Sequence, residues 1–187
     1  MVELRTVRDF LKWEPYLNES MQSSLREIAC PARVGSTDVP QDLNGITLGQ
    51  LVTLQTASDS RAFFEAFAKI LLDMDSREVM KAPVMPMMGV ANMVLKEIER
   101  ITELFRSTTP EPTAIEIQAG SEKLNFGVFG LADWYARRMG MTDQDEAIET
   151  GWIRIWQCLR NDTMEMQYRK RLAEIQAAQM NAKYKTR

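Results

Sequence analysis

Apolar positions along the second three-quarters of the chain recur at helical spacing, and almost nowhere in alternation. "RAFFEAFAKILLDM" places Phe63, Phe64, Phe67, Ile70, Leu71 and Met74 at i, i+3, i+4 and i+7 steps, the signature of a helix with one buried face. "PMMGVANMVLKEIERITELFRS" carries a second stripe, Val90, Val94, Ile98, Ile101 and Phe105, with Lys96, Glu97, Glu99 and Arg100 off it. Its Pro86 sits where a first-turn proline is tolerated, and it reads as the longest, central helix. A third stripe, Ile148, Trp152, Ile155, Trp156 and Leu159, lies in "DQDEAIETGWIRIWQCLR" and predicts one helix with both tryptophans in the core.

Start and stop signals fit this pattern. Thr47 caps "ITLGQLVTLQ" with Gln50 three residues on, a capping box, and Ile46 and Leu51 are placed for a hydrophobic staple. Ser60 and Ser76 are read as caps of the next two helices, the second a short "REVMKA" turn stopped by Pro83. "STTPEPTAIEIQAG" predicts a capped turn with a short helix. "FGVFGLADWYARRMG" predicts a helix ended by Gly140 and paired with the one that follows, while "DTMEMQYRKRLAEIQAAQMNAKYKTR" predicts a separate last helix. No Asn-Gly or Asp-Gly hairpin is flanked by alternating residues.

Residues 1–45 differ. "TVRDFLKWEPYL" predicts a short amphipathic helix interrupted at Pro15, and "REIACPARVGSTDVPQDLNG" reads as an extended arm with at most a short strand. Such an arm either lies over its own domain or reaches a neighbouring subunit in a homo-oligomer. The expected architecture is all-α: an N-terminal arm over 1–45, a helical core domain over 46–162 and a basic, partly exposed helix over 163–187. That makes a single bundle of about six to eight helices with no internal repeat.

Composition narrows function mainly by exclusion. The net charge of −3 and pI near 5.2 argue against direct nucleic-acid binding, which needs a basic field. No apolar run approaches the roughly 18 residues that span a bilayer, and the start of the chain has no signal-peptide pattern. The cytoplasm of the producing cell is the expected compartment. Histidine is absent, which removes Ser-His-Asp and Cys-His nucleophiles and imidazole zinc sites. Cys30 and Cys158 stand alone, without C-x-x-C spacing. The carboxylate pairs Asp73/Asp75, Glu97/Glu99 and Asp143/Asp145 lack calcium-loop spacing, and no phosphate-binding glycine motif occurs. The expectation is a protein that is not an enzyme and has no catalytic residue, cofactor or metal.

"GLADWYARRMGMTDQDE", residues 130–146, sets aromatics and arginines before an acidic cluster. Arg137 and Arg138 in a last helical turn, Gly140 as its stop, and Thr142 capping an acidic first turn are what a tight helix–turn–helix junction requires. A DNA-reading version needs exposed Arg, Asn or Gln near the start of its second helix; carboxylates stand there instead.

Two features remain as partner-binding candidates. Met85, Met87, Met88 and Met93 concentrate flexible, polarizable side chains around a prolyl break, as adaptable binding surfaces do. Arg169, Lys170, Arg171, Lys183, Lys185 and Arg187 oppose Glu174 alone in the last helix and suit docking on an acidic partner.

The succession "ITLGQLVTLQ", "FFEAFAKILLDMD", a prolyl break and "VLKEIERITELF" resembles small helical proteins of tailed bacteriophages, encoded among virion and tail-morphogenesis genes and nearest to the tail assembly chaperone type. "FGVFGLADWYARRMGMTDQDEAIETGWIRIWQCLRND" is similar to uncharacterised proteins of gut-phage genomes, so the resemblance covers residues 46–162. It implies a non-enzymatic morphogenesis role, with tail or other phage structural proteins as partners, in the infected host's cytoplasm. The long arm and basic last helix depart from that pattern and suit a virion component such as a head–tail connector or internal protein. An acidic inhibitor of a nucleic-acid-binding protein is a further alternative, and it would require a continuous carboxylate face.

Overall fold

In a computed structural model the chain is described over residues 4–124 and 126–185, without the side chains at 122, 124 and 183–185. It is all-α apart from one two-stranded hairpin. The helices are α1 (Val7–Trp13), α2 (Glu19–Arg26), α3 (Leu48–Gln55), α4 (Ser60–Leu72), α5 (Ser76–Lys81), α6 (Val84–Thr108), α7 (Ala114–Gln118), α8 (Gly127–Met139), α9 (Gln144–Ile148) and α10 (Trp152–Lys185). Strands β1 (Arg33–Val34) and β2 (Thr37–Asp38) pair antiparallel.

α6 is the axis of the core. Residues 89–94 are buried on every side, because α1, α2, α3, α4 and α10 all pack against this helix. Pro86 falls in its first turn, where the missing N–H has no intrahelical partner to lose; the helix therefore begins at Val84 and runs unbroken. Phe10, Phe64 and Phe67 form a ring cluster beside it, with centroids 5.8 and 5.3 Å apart. A smaller second core gathers Leu48, Ala132, Tyr135, Ala136, Ala147 and Ile155.

The N-terminal segment is packed on its own domain, and it is more structured than an extended arm. The Val7 N–H donates to the Ala82 carbonyl and the Val84 N–H to the Arg5 carbonyl, each at 3.0 Å. These two bonds staple α1 across the start of α6. α2 is a helix capped by Asn18; it buries no residue, so no apolar stripe announces it. One carbonyl of its last turn and one just beyond it are captured by Asn92 of α6, whose Nδ2 donates to Leu25 O at 2.8 Å and Ile28 O at 3.1 Å. This satisfies groups that a helix C-terminus otherwise leaves unpaired. Val34, Val39 and Leu43 then enter the main core. The Leu43 N–H donates to Glu97 Oε2 at 3.1 Å. Arg100, hydrogen-bonded to the same carboxylate, is the main reason that the Glu97 pKa lies below its usual value.

Other boundaries differ from expectation in instructive ways. The Thr47 capping box forms as read, but Asp59, Asp75 and Asp143 cap where Ser60, Ser76 and Thr142 were expected. Ser60 and Ser76 instead donate to Glu14 and Glu65. The expected single helix through Trp152 breaks at Thr150–Gly151, where the chain pairs with Ile46–Leu48: the Leu48 N–H donates to Thr150 O at 2.9 Å. Conversely, no break occurs near Asp162. α10 continues through it, because the Asp162 carboxylate pairs with Arg138 of α8 at 2.9 Å and is not used as a cap.

Tyr135 is fully buried in the second core, and its hydroxyl has no hydrogen-bond partner among the described residues. A buried unpaired hydroxyl pays its desolvation without return. Tyr135→Phe should therefore raise stability by about 1 kcal/mol, a gain of roughly 2–4 °C in the melting midpoint. A loss in thermal denaturation would show that the hydroxyl is bonded after all.

Candidate interaction surfaces

The aromatic-and-arginine stretch is structural. Gly140, in the left-handed region at φ 68°, ends α8, with the Met141 N–H returning to Ala136 O at 2.9 Å. Arg137 pairs with Asp133 one turn back. Arg138 grips Asp162, and its Nη1 lies 3.3 Å from Cys158 Sγ. Neither arginine is left aimed at a partner. Cys30 and Cys158 are separate free thiols, and burial pushes the Cys30 thiol up, away from reactive thiolate. Among the described residues no group of three or more Cys, Asp or Glu side chains is placed to hold a metal ion, and no helix is long and apolar enough to cross a membrane.

The four candidate methionines do not form one surface. Met87 is fully buried and Met93 nearly so; both are core side chains. Pro86 lies in the first turn of α6 and does not interrupt it. Met87 shares the face that buries Val84, Ala91 and Val94, Met93 lies in the stretch buried on every side, and Met85 is left 53% exposed. Met88, half-buried, lines a groove with Phe10, Leu25, Phe63, Asn92 and Leu95. At about 240 Å³ the groove falls below the roughly 300–1,000 Å³ of small-molecule sites.

The basic candidates lie together on α10. Arg169, Lys170 and Arg171 are exposed. Arg169 pairs with Glu165 at 2.5 Å, and Lys170 is near enough to Glu116 of α7 to help hold that carboxyl below its usual range, after the Thr113 hydrogen bonds that dominate the shift. Lys183 and Lys185 end the helix, with side chains outside the described residues.

What sequence reasoning missed is the apolar surface between and beside these cations. From Met164 to Ala182 every residue of α10 is exposed. Six large apolar side chains in that span, Met164, Met166, Tyr168, Leu172, Ile175 and Met180, are each 40–61% exposed. A second region adds Ile115 and Ile117 of α7 with Phe126 and Phe129 around the start of α8, all likewise uncovered. The 164, 168, 172, 175 spacing carries that signal in the sequence, with the Arg169–Lys170–Arg171 run set within it. On α10, Met164, Tyr168, Leu172 and Ile175 share one side of the helix, and large apolar stripes left open mark interaction surfaces. Comparison with protein-family models, curated proteins and solved structures finds no match for this chain.

Proposed function

We propose that the chain is a non-enzymatic protein-binding component of tailed-bacteriophage particle assembly, in the manner of a tail assembly chaperone. The observation that carries the binding role is the exposure of four large apolar side chains, Ile115 and Ile117 of α7 and Phe126 and Phe129 around the start of α8, with Lys170 of α10 near Glu116 of that same α7. Apolar anchors supply affinity and rim charges steer encounter. The phage assignment rests on the sequence resemblance over residues 46–162 and adds tail or other phage structural proteins as clients, met in the infected host. A stably incorporated virion component is the second reading. It is favoured by the length of uncovered α10, since a face that needs permanent cover suits a subunit with fixed neighbours.

The tagged chain, expressed during infection by the phage that encodes it, should recover phage structural proteins. Phe126→Asp with Phe129→Asp should lose them while leaving the helical spectrum unchanged, because both side chains are exposed. Mass spectrometry of purified particles separates the two readings: a chaperone is absent from them, a virion component present. Recovery of no phage protein, together with absence from particles, would sink both.

A further inference from the structure

The exposed part of α10 carries a heptad. Met164, Tyr168, Arg171, Ile175, Ala178 and Ala182 follow one another at spacings of 4, 3, 4, 3 and 4, the seam of a two-helix coiled coil, and Leu172 flanks it. All seven are solvent-exposed. The seam is about 27 Å long at 1.5 Å per residue. Its side chains from Met164 to Ala182 are all exposed, so this face is open to a partner along its whole length.

The chemistry of the seam selects that partner. Its bulky members, Met164 and Tyr168, stand at one end, and its alanines, 178 and 182, at the other. Antiparallel pairing with an identical helix sets Met164 against Ala182, Tyr168 against Ala178 and Arg171 against Ile175, so large meets small and the layers fill. The two-fold axis then passes by residue 173 and sets Leu172 beside Glu174 of the other chain. Arg169 and Lys170 then lie beside Ala177 and Gln176 of the other chain, and the Arg171 stem can cover Ile175 while its guanidinium reaches water. Parallel pairing would instead stack Arg171 on Arg171 within a core layer and leave alanine facing alanine. Like charges and voids both oppose it.

From this we infer that two copies of the chain join through residues 164–182 of α10 as an antiparallel, two-fold-symmetric coiled coil. The contact is isologous, the commonest closed symmetry of soluble oligomers. It is a property of the chain alone and does not rest on the identity of any client, so purified full-length protein tests it without a phage component.

Light scattering on the eluting protein should show monomer passing to dimer as concentration rises through the micromolar range. Tyr168→Asp with Ile175→Asp should be monomeric throughout, with the circular-dichroism signal of the rest of the fold retained. Orientation is read by cross-linking, in a Cys30→Ser, Cys158→Ser background. Tyr168→Cys chains mixed with Ala178→Cys chains should join unlike chains through a short thiol-specific linker. Cross-links joining like chains would overturn the antiparallel arrangement. A parent protein that stays monomeric at every concentration would overturn self-pairing and leave the face to a different protein.

Discussion

Trp152→Ala should destabilise the chain by about 3–5 kcal/mol, the cost of truncating a fully buried aromatic. Trp152 is 1% exposed and opens α10 at the point where that helix, α6 and the N-terminal strap, residues 18–45, converge. Its ring lies 6.3 Å from that of Phe105 and under the Arg100 guanidinium, 5.7 Å away. The indole Nε1 donates to Leu43 O at 2.7 Å. Truncation therefore opens a cavity and also removes the shorter of two hydrogen bonds to the Leu43 carbonyl, which keeps only the Ile46 N–H at 3.4 Å, and the two penalties add. Trp156, one turn on, is only half-buried, and its Nε1 donates to Leu104 O at 3.1 Å and Thr108 Oγ1 at 3.0 Å; its alanine variant should cost distinctly less. Urea denaturation of both variants checks the order. A cost below about 1 kcal/mol for Trp152→Ala would mean an exposed ring and would revive a ligand-stacking role.

The parts of the fold that were legible in the sequence are those where local pattern and tertiary packing agree. α4 and α6 carry apolar residues at helical period into a core that wants them there, and Thr47 with Gln50 satisfies its helix end within four residues. Where two adjacent residues can both cap, as at Asp59–Ser60 and Asp75–Ser76, local sequence leaves the choice open. Distant partners settled it: Glu14 and Glu65 take the serine hydroxyls and leave the aspartates to cap. α2 was illegible for a different reason. It fully buries no residue, only Leu25 packing partly against the core, and Asn92 holds the Leu25 and Ile28 carbonyls at its C-terminal end from 67 and 64 residues away in sequence.

The junction around Gly151 and the candidate surface show the same limit. Ile148, Trp152 and Ile155 keep helical phase across the break between α9 and α10, so periodicity alone reads one helix. The interruption comes from backbone pairing with Ile46–Leu48, a contact no local window contains. Methionine at helical spacing has the same pattern whether it faces a core or a partner, and what buries Met87 and Met93 is the set of helices packed around this part of α6. On α10 the apolar seam was equally periodic. What decides its exposure is that no other described element buries a residue of α10 between Met164 and Ala182, a fact about the rest of the chain.

Gly89→Ala is the sharpest test of the N-terminal strap, because two effects of opposite sign compete there. In a helix interior alanine is favoured over glycine by about 1 kcal/mol, and Gly89 lies well inside α6. If residues 18–45 were a loosely held arm, the substitution would stabilise the protein. Yet a Cβ at residue 89 would overlap the Ala29 carbonyl oxygen and stand 3.0 Å from its carbon, with Pro31 Cδ at 3.1 Å. The obstacle is backbone, not the tip of a flexible side chain. It is fixed on one side by the Asn92 bonds to Leu25 and Ile28 and on the other by the Ala32–Val39 bond of the hairpin, 2.9 Å long. Relief requires the strap to lift, which exposes Val34 and Val39 and strands the Asn92 carboxamide. Overpacking of this kind costs about 1–3 kcal/mol and occasionally more, enough to outweigh the propensity gain. The expected result is a net destabilisation of about 2 kcal/mol, with faster proteolytic cleavage near residues 26–36. A variant as stable as the parent, or more so, in urea denaturation would mean that the strap does not press on α6 in solution.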